Sequence, residues 1–215
     1  IVHEKEDRRI YGRLLRSDIP AVRIKFLFGY CNYQSYQLVM KVYLVRHTSV
    51  DVPRGISYGQ TDVSLKKSFE EEAAITRKHL DGLTFDQVYC SPLSRCTRLA
   101  AFCGYPDAIR DDRLKELNFG DWEMKSWDEI SADPYSRQWF DDWVNVPARN
   151  GESLQQLYNR LTDFLNEIKK QHYQQVCLFT HGGILATAGA YVGKYALKKA
   201  FEQVPPFGSV VHIEI

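Results

Sequence analysis

The 215-residue sequence carries a formal net charge of +1 and is 44% hydrophobic and 26% charged. Such a composition is typical of a folded protein with one sizeable core, and the chain is short for two. The near-neutral charge excludes a strong attraction to nucleic acid or an anionic membrane, so neither is expected as a partner. Five cysteines without a C-x-x-C pair indicate reduced thiols and a cytoplasmic location rather than a disulfide framework.

Residues 1–39 differ in character from the rest of the chain. Charged residues are frequent from Glu4 to Arg9, and the aromatic run that follows keeps no period of a helix or a strand. Charges interrupt the apolar stretches, which argues against a signal peptide. Met40 stands directly before the first clear strand. We predict that residues 1–39 are a non-native or disordered N-terminal extension and that one domain spans residues 40–215; a genuine N-terminal arm is the alternative.

The first predicted strand, Lys41–Val45, runs directly into Arg46 and His47. Its consecutive apolar residues indicate a strand that is buried on both faces. In open α/β sheets the ligand crevice lies at the carboxyl ends of such strands. An arginine offers a planar fork of donors for phosphate, and a neutral histidine offers a nucleophilic nitrogen. The simpler alternative is a solvated strand end in which neither residue has a function.

A polar loop at residues 49–63 follows this strand end, and functional sites are commonly built on such loops. The next elements are predicted, in chain order, as a helix at Phe69–Leu80, a strand at Phe85–Cys90, a helix opening near Pro92 and an edge strand at Ala108–Arg110. Three helices follow, at Trp127–Ser131, Pro134–Val144 and Ser153–Gln171. The last elements are a strand at Gln175–Thr180, a helix at Ile184–Val192 and a strand at Val210–Ile215. This alternation predicts a three-layer α/β sandwich, with a mostly parallel central sheet and helices on both faces. The aromatic residues expected in its core are Trp127, Trp139, Phe140 and Trp143.

Two further stretches place functional side chains beside strand ends. Arg95 and Arg98 fall in the first turns of the second helix, where free N–H groups also favour an anion, and Arg95 lies nearer the strand end. His181 ends a later strand, and Gly182 and Gly183 let backbone N–H groups approach a ligand before the next helix begins. At one sheet edge these side chains would form a cationic site without metal-ligand spacing, suited to a doubly ionised phosphate monoester.

Four stretches together resemble the signature stretches of the histidine phosphatase superfamily, which has the phosphoglycerate-mutase-like fold. They are Leu-Val-Arg-His-Thr (44–48), Ser-Pro-Leu-Ser-Arg-Cys (91–96), Leu-Lys-Glu-Leu-Asn-Phe-Gly-Asp-Trp-Glu (114–123) and Thr-His-Gly-Gly (180–183). They occur in the order of the family and cover nearly all of residues 40–215. The resemblance therefore implies both a fold and a mechanism.

Within this family, the resemblance implies that His47 is the nucleophile and forms a phosphohistidine. Arg46, Arg95 and His181, the last as an imidazolium, would hold the phosphoryl oxygens, and no metal or cofactor would be needed. Glu116 would protonate the leaving oxygen and later accept the proton of the attacking water. Phosphoryl transfer mostly requires positioning and charge stabilisation, which this set would supply.

The sequence departs from the family pattern after the first histidine. The usual Arg-His-Gly-Glu is Arg-His-Thr-Ser here, with Thr48 and Ser49 in the last two places. Polar contacts to the substrate are therefore expected from Thr48 and from the backbone at Gly182. The loop residues Ser57 and Gln60 are the other candidates for such contacts.

The third signature stretch leaves one role open and contains one substitution. Asp121 and Glu123 lie close to Glu116 in the sequence and are alternatives for the general acid. The residue after the Trp-Glu pair is Met124, where the family has glycine. The backbone there is expected to be less free, because a side chain disfavours positive φ.

The loop sequence Arg-His-Thr-Ser-Val-Asp-Val-Pro-Arg-Gly-Ile-Ser-Tyr-Gly-Gln-Thr-Asp-Val (46–63) and the tail Pro-Pro-Phe-Gly-Ser-Val (205–210) resemble the α-ribazole-5′-phosphate phosphatase subfamily of the cobalamin nucleotide-loop pathway. That resemblance implies a small phosphorylated metabolite as the partner. Tyr58 and Trp122 are the aromatic residues expected at the mouth of the site, where they would stack on the dimethylbenzimidazole base. A monomer or a homodimer is expected.

Three alternatives remain open at this point. A general small-molecule phosphatase would share every catalytic residue. A phosphoglycerate mutase of the same superfamily is disfavoured, because residues 40–215 leave no room for the long insertion that resemblance to mutases would require between the acid and the second histidine. A non-catalytic phosphate-binding regulator is disfavoured because all five catalytic residue types are present.

Overall fold

The computed structural model of the protein describes residues 24–26, 29–31 and 39–215. These residues belong to two compact units, which divide between residues 38 and 39. In the first, β1 (Ile24–Phe26) and β2 (Gly29–Cys31) pair as an antiparallel hairpin. The expectation that residues 1–39 are a non-native or disordered extension falls, apart from this hairpin and Val39, outside the described residues, and it stays a prediction.

The second unit is built on a five-stranded sheet. Its strands are β3 (Lys41–Arg46), β4 (Gln87–Cys90), β5 (Ile109–Arg110), β6 (Gln175–Thr180) and β7 (Val210–Glu214). They are ordered β5-β4-β6-β3-β7, and only β7 is antiparallel to its neighbour. The predictions of a mostly parallel sheet and of an edge position for β5 are confirmed, and β7 forms the other edge.

Helices cover both faces of this sheet, so the predicted three-layer architecture is confirmed. The helices are α1 (Phe69–Lys78), α2 (Ser94–Phe102), α3 (Trp127–Ala132), α4 (Ser136–Asp141), α5 (Leu154–Lys169) and α6 (Gly182–Tyr191). Residues of α5 and α6 pack on one face, and residues of α1 and α2 pack on the other. No helix of the described residues is long and apolar enough to cross a membrane.

The alternation of side chains along the central strands explains the two hydrophobic layers. In β3, Val42 and Leu44 belong to the cluster beneath α5 and α6, whereas Val45 belongs to the cluster beneath α1 and α2. In β6, Leu178 and Phe179 divide in the same way. Because successive Cβ atoms point to opposite faces, a strand with helices on both sides must be apolar throughout.

The five helices with predicted bounds differ from them by up to three residues at an end, and two of these differences bear on the site or on helix packing. Helix α6 begins at Gly182 rather than Ile184, because His181 is already the extended N-cap residue and both glycines are helical. Helix α4 ends at Asp141 rather than Val144. The carbonyls of Trp143 and Val144 instead accept hydrogen bonds from Leu154 and Gln155 at the start of α5, at 3.2 and 2.9 Å.

The expected aromatic core is confirmed in part. Trp139 is buried at the centre of a small cluster, and Trp127 and Trp143 pack against it half-buried. Phe140 lies at the edge of the cluster with 40% of its surface exposed, which corrects its assignment to the core. Trp122 joins the buried centre of this same cluster.

Candidate active site

The site forms where β3, β6 and α2 meet at the carboxyl edge of the sheet. Arg46, the last residue of β3, pairs in register with Thr180, the last residue of β6. The next residue along each strand is a histidine, so the two imidazole rings lie together, with centroids 5.2 Å apart and planes at 63°. The first turn of α2 adds Arg95, which is fully buried. The predicted convergence of these residues is confirmed.

His47 is held in the tautomer that a nucleophile needs. Its side chain is only 2% exposed, and its Nδ1 lies 2.8 Å from the carbonyl oxygen of Thr48. A carbonyl can only accept, so Nδ1 carries the proton and Nε2 keeps a free lone pair. Burial, reinforced by the charges of Arg95 and Arg46, lowers the pKa of His47 to about 3. The ring is therefore neutral near pH 7.

Arg95 is fixed by three acceptors. Its Nε donates to Nδ1 of His181 at 3.3 Å, and its two terminal nitrogens donate to the carbonyls of Thr61 and Gly59 at 2.8 and 2.6 Å. A guanidinium has five N–H groups, so two remain for a ligand. The positive charge is thus positioned before any substrate binds, so the guanidinium needs little reorganisation when a substrate enters.

His181 is neutral, which corrects the expectation of an imidazolium. Its Nδ1 accepts from Arg95, and its Nε2 lies 2.7 Å from the hydroxyl oxygen of Ser91. Complete burial and the nearby arginines lower the pKa of His181 well below its ordinary value. The charge that attracts phosphate therefore comes from Arg46 and Arg95.

Several buried polar atoms lack a hydrogen-bond partner among the described residues, and they include Nε of Arg46, Oγ1 of Thr48 and Oγ of Ser57. Arg46 also donates through Nη1 to the carbonyl of Pro205. Buried polar groups are nearly always paired, so the unpaired Nε of Arg46 can donate to a ligand. The substrate contacts expected of Thr48 and Ser57 stay predictions.

Glu116 is fixed by its side chain and by its backbone. Its carboxylate accepts from the N–H of Leu117 at 2.9 Å and from the N–H of Gly183 at 3.1 Å. Its carbonyl accepts from Arg160 at 2.9 Å and from the side chain of Gln60 at 3.0 Å. A Cβ at residue 183 would displace this carboxylate, so the glycine there allows the carboxylate to bond to the first turn of α6.

Close approach also explains the neighbouring glycine. A Cβ at Gly182 would lie 3.0 Å from Cζ of Arg46. The first turn of α6 therefore packs directly on the guanidinium, and the contact predicted between the backbone of Gly182 and a ligand stays a prediction. Gln60 donates one amide N–H to the carbonyl of Glu116, and the substrate contact predicted for its remaining polar atoms stays a prediction.

The two alternative acids are engaged elsewhere. Asp121 accepts from the side-chain amide of Asn150 at 2.9 Å, in an exposed position. Glu123 accepts from the backbone of Gln60 and of Phe119 at 2.7 and 3.2 Å, and also from Thr61. Neither carboxylate accepts a hydrogen bond from the first turn of α6, as that of Glu116 does from Gly183.

Glu123 has a role that the sequence analysis missed. The loop that it holds, residues 59–61, supplies both carbonyls that accept from Arg95. The carboxylate thus positions the guanidinium through the loop. Its place in the Trp-Glu pair marked it as part of a motif, but nothing in the spacing indicated hydrogen bonds to residues more than sixty positions earlier.

The aromatic residues at the site differ from those predicted. Trp122 is 1% exposed and packs edge-on against Trp139, so it cannot stack on a substrate base. Its burial follows from the aromatic cluster around α3 and α4. Tyr58 does lie at the site, with Cζ of Arg95 5.6 Å from the centroid of its ring. Phe207, which the sequence analysis left without a role, has its ring centroid 4.0 Å from Cζ of Arg46.

Comparison with known proteins decides the family. The sequence model of the histidine phosphatase superfamily (branch 1) matches residues 42–215. The chain belongs to this superfamily. An adenosylcobalamin/α-ribazole phosphatase of Escherichia coli (strain K12) is 31% identical over 156 residues, covering 68% of this chain and 76% of that protein.

Two further relatives of the superfamily are similar. Phosphoserine phosphatase 1 of Hydrogenobacter thermophilus is 31% identical over 144 residues, covering 64% of this chain and 68% of that protein. The crystal structure of the α-ribazole phosphatase from Shigella flexneri superposes with a TM-score of 0.74 at 27% identity, covering 82% of this chain and 91% of that one. The fold and the phosphatase assignment both agree with the resemblance found in the sequence.

The structure also accounts for the departures from the superfamily pattern. Ser49 donates through its N–H, at 2.8 Å, and through its hydroxyl to Glu72 of α1, which ties the loop after the nucleophile to that helix. Met124 adopts φ 62°, the left-handed backbone that glycine favours, although its side chain was expected to restrict the backbone there. Among the described residues no group of three or more histidine, cysteine or acidic side chains is arranged to hold a metal.

The lowered pKa of His47 gives a pH dependence of stability. The pKa is about 3 in the folded protein and 6.5 for the ordinary group, so the unfolded chain binds more protons between these values. Stability is then complete above about pH 6.5 and is lost as the pH falls toward about 3. We expect this residue alone to cost about 2 kcal/mol between about pH 7 and about pH 5.

Urea unfolding of the wild type and of His47→Asn at the two pH values measures this contribution. The asparagine amide can still donate to the Thr48 carbonyl but does not titrate. The variant should lose about 2 kcal/mol less on acidification than the wild type. Equal losses in the two proteins would show that the buried imidazole does not resist protonation.

Proposed function

We propose that the chain hydrolyses phosphate monoesters through a phosphohistidine on His47. The observation that carries this proposal is a neutral imidazole, with Nε2 free and Nδ1 held at 2.8 Å by a carbonyl, beside two guanidiniums. Nε2 attacks phosphorus as the bond to the leaving oxygen breaks, and that oxygen takes the electron pair. Arg46 and Arg95 balance the charge of the phosphoryl oxygens.

Glu116 is proposed as the proton donor and acceptor. Its carboxyl group protonates the leaving oxygen in the first step. In the second step it removes a proton from water, which attacks phosphorus as the bond to Nε2 of His47 breaks. The hydrogen bonds from Leu117 and Gly183 hold the group beside the first turn of α6, close to Arg46.

Replacing this carboxyl should have an effect that depends on the leaving group. We expect Glu116→Gln to lower the rate of His47 phosphorylation by about 10²-fold or more for alkyl phosphates, which need protonation. The effect on p-nitrophenyl phosphate should be small, because its phenolate leaves unaided. Single-turnover kinetics with both esters make the measurement.

Asp121→Asn is the matched control, since it removes a carboxylate from the same stretch at an exposed position. The substitution should change the phosphorylation rate with either ester by no more than a factor of about two. The Asp121 carboxylate bonds to Asn150, whereas the Glu116 carboxylate bonds to Gly183 of α6. A leaving-group dependence seen in Asp121→Asn and not in Glu116→Gln would overturn the assignment.

For the substrate, we propose α-ribazole 5′-phosphate. The α-ribazole phosphatases of E. coli and S. flexneri are similar in sequence and in structure, respectively, to this chain. The Tyr58 ring beside Arg95 suits a flat base attached to the phosphate-bearing sugar. Phosphoserine is the second candidate, because a phosphoserine phosphatase of H. thermophilus is also 31% identical.

A competition assay with α-ribazole 5′-phosphate, phosphoserine and 3-phosphoglycerate tests the substrate. We expect kcat/KM for the first to exceed the other two by about tenfold or more, the range that stacking on one base supplies. Tyr58→Ala should erode this preference, and Tyr58→Phe should keep it. Preference for phosphoserine or phosphoglycerate would overturn the proposal, and equal rates would identify a general phosphatase.

The remaining expectations stay proposals. A cytoplasmic location is supported by the thiols: the cysteines of residues 39–215, all buried and unpaired, are Cys90, Cys96, Cys103 and Cys177. Burial raises the pKa of Cys90 to about 12, which keeps its thiol protonated. A small phosphorylated metabolite as partner, the absence of a nucleic-acid partner and a monomeric or homodimeric state complete the proposal.

A further inference from the structure

Phe207 is an exposed aromatic residue that lies against the nucleophile. It is 40% exposed, although most large apolar side chains of the domain are buried. Its ring centroid lies 4.0 Å from Cζ of Arg46 and 5.4 Å from the centroid of the His47 ring. One face of the phosphate-binding machinery is therefore bordered by an aromatic ring that solvent, or a ligand, can reach.

The loop that carries this ring is held in place by the site itself. The N–H of Gly208 donates to the carbonyl of His47 at 3.1 Å, and the N–H of Arg46 donates to Ser209 at 2.9 Å. Thr76 of α1 donates to the carbonyl of Gly208 at 3.0 Å. Gly208 itself has φ 72°, a conformation that favours glycine and turns the chain directly after Phe207. The ring is consequently presented in a fixed position.

A second ring borders the same guanidinium. The Tyr58 hydroxyl is close enough to Arg46 that each affects the pKa of the other: the arginine opposes the rise that burial causes in the tyrosine pKa. Tyr58 also packs near Arg95. The two arginines suit the phosphate, and the two rings suit a flat apolar group attached to it.

We infer that Phe207 and Tyr58 form an aromatic subsite that holds the flat base of a nucleoside-like phosphate ester against the active site. This inference rests on the proposed phosphatase function and deepens it, because it names the structural feature that selects the leaving group. Esters of aliphatic alcohols, such as phosphoserine, place no ring between these side chains and gain nothing from them. The subsite therefore acts on choice of substrate more than on the chemical step.

The test compares kcat/KM for α-ribazole 5′-phosphate and for phosphoserine in Phe207→Ala, Phe207→Leu and Phe207→Tyr. The ratio of the two values should fall about tenfold in the alanine and leucine variants and stay near the wild-type value in the tyrosine variant, since stacking needs a ring and not merely volume. Thermal melting of each variant establishes that it is folded. Phe140→Ala is the matched control: it is also 40% exposed but packs on Trp139, and it should leave the ratio unchanged.

The outcomes separate the subsite from the proposed function. Equal losses for both esters would mean that Phe207 only shields His47 from water, and would overturn the subsite while the phosphatase stands. If the wild type hydrolyses neither ester, the phosphatase proposal fails, and binding then decides the subsite. In that measurement, calorimetry with His47→Gln should give tighter binding of α-ribazole 5′-phosphate than of phosphoserine. Adding Phe207→Ala to this variant should lower the ratio of the two affinities about tenfold. No such change would overturn the subsite.

Discussion

His47→Gln should abolish turnover, with kcat/KM for phosphate monoesters lower by about 10⁴-fold or more, as when other enzymes lose their nucleophile. The amide has no nucleophilic lone pair to replace Nε2, which the 2.8 Å hydrogen bond from Nδ1 to the Thr48 carbonyl leaves free. Acid-labile label from ³²P-substrate, trapped by rapid quenching, should appear on the wild type at His47 and be missing from the variant.

His181, the second histidine of the site, should carry no label in this experiment. Both ring nitrogens of His181 are already engaged, Nδ1 by Arg95 and Nε2 by Ser91, so it has no free lone pair for attack. Label on His181 would contradict the mechanism. The matched control is His212→Gln, because this histidine lies exposed on β7, with its ring 5.7 Å from that of Tyr43. It should trap label like the wild type.

Arg95→Lys should lower kcat/KM by about 10²- to 10³-fold, the cost of losing one fixed donor to a developing anion. A lysine keeps the charge but has a single nitrogen, which cannot reach Gly59, Thr61 and His181 together. The acceptors that it leaves unpaired should also destabilise the fold, at about 1–3 kcal/mol each. Steady-state kinetics and inhibition by inorganic phosphate measure the first effect, and thermal unfolding measures the second.

Arg98→Lys is the control for that substitution. Arg98 lies on the same helix, is exposed, and packs on Phe69 at 5.1 Å rather than on the site. Its replacement should change kcat/KM by less than about twofold, since the surface position tolerates a shift of a few ångströms in the charge. Comparable losses from the two substitutions would contradict the assignment of Arg95, and not Arg98, to the site, because that assignment depends on the buried hydrogen bonds of Arg95.

The fold and the main residues of the site could be predicted because their signals are local. A strand that must be buried on both faces shows as a run of apolar residues, and β3 and β6 both do so. Arg46, His47 and His181 follow those strands directly, so parallel pairing alone brings them together. Position in the chain was therefore sufficient to predict which side chains meet.

The remaining features depend on contacts between distant segments. Whether Trp122 faces solvent is decided by α3 and α4, which bury it beside Trp139. The neutral state of His181 follows from burial and from the neighbours Arg95 and Ser91, which belong to another part of the chain. Glu123 bonds to a loop more than sixty positions earlier, and Phe207 packs on Arg46, and no spacing in the sequence indicates either contact.

The antiparallel strand β7 is synthesised last of the strands described above, yet its pairing places a loop beside the site. The hydrogen bond from Arg46 to Pro205 joins residues 159 positions apart, and β7 must lie beside β3 before it can form. Pairings of such long range form late, because the loop between them has to close first. A nascent chain therefore contains His47, the proposed nucleophile, before the loop at residues 205–209 can pack beside it. We expect phosphoryl transfer only after β7 has been synthesised and has paired with β3.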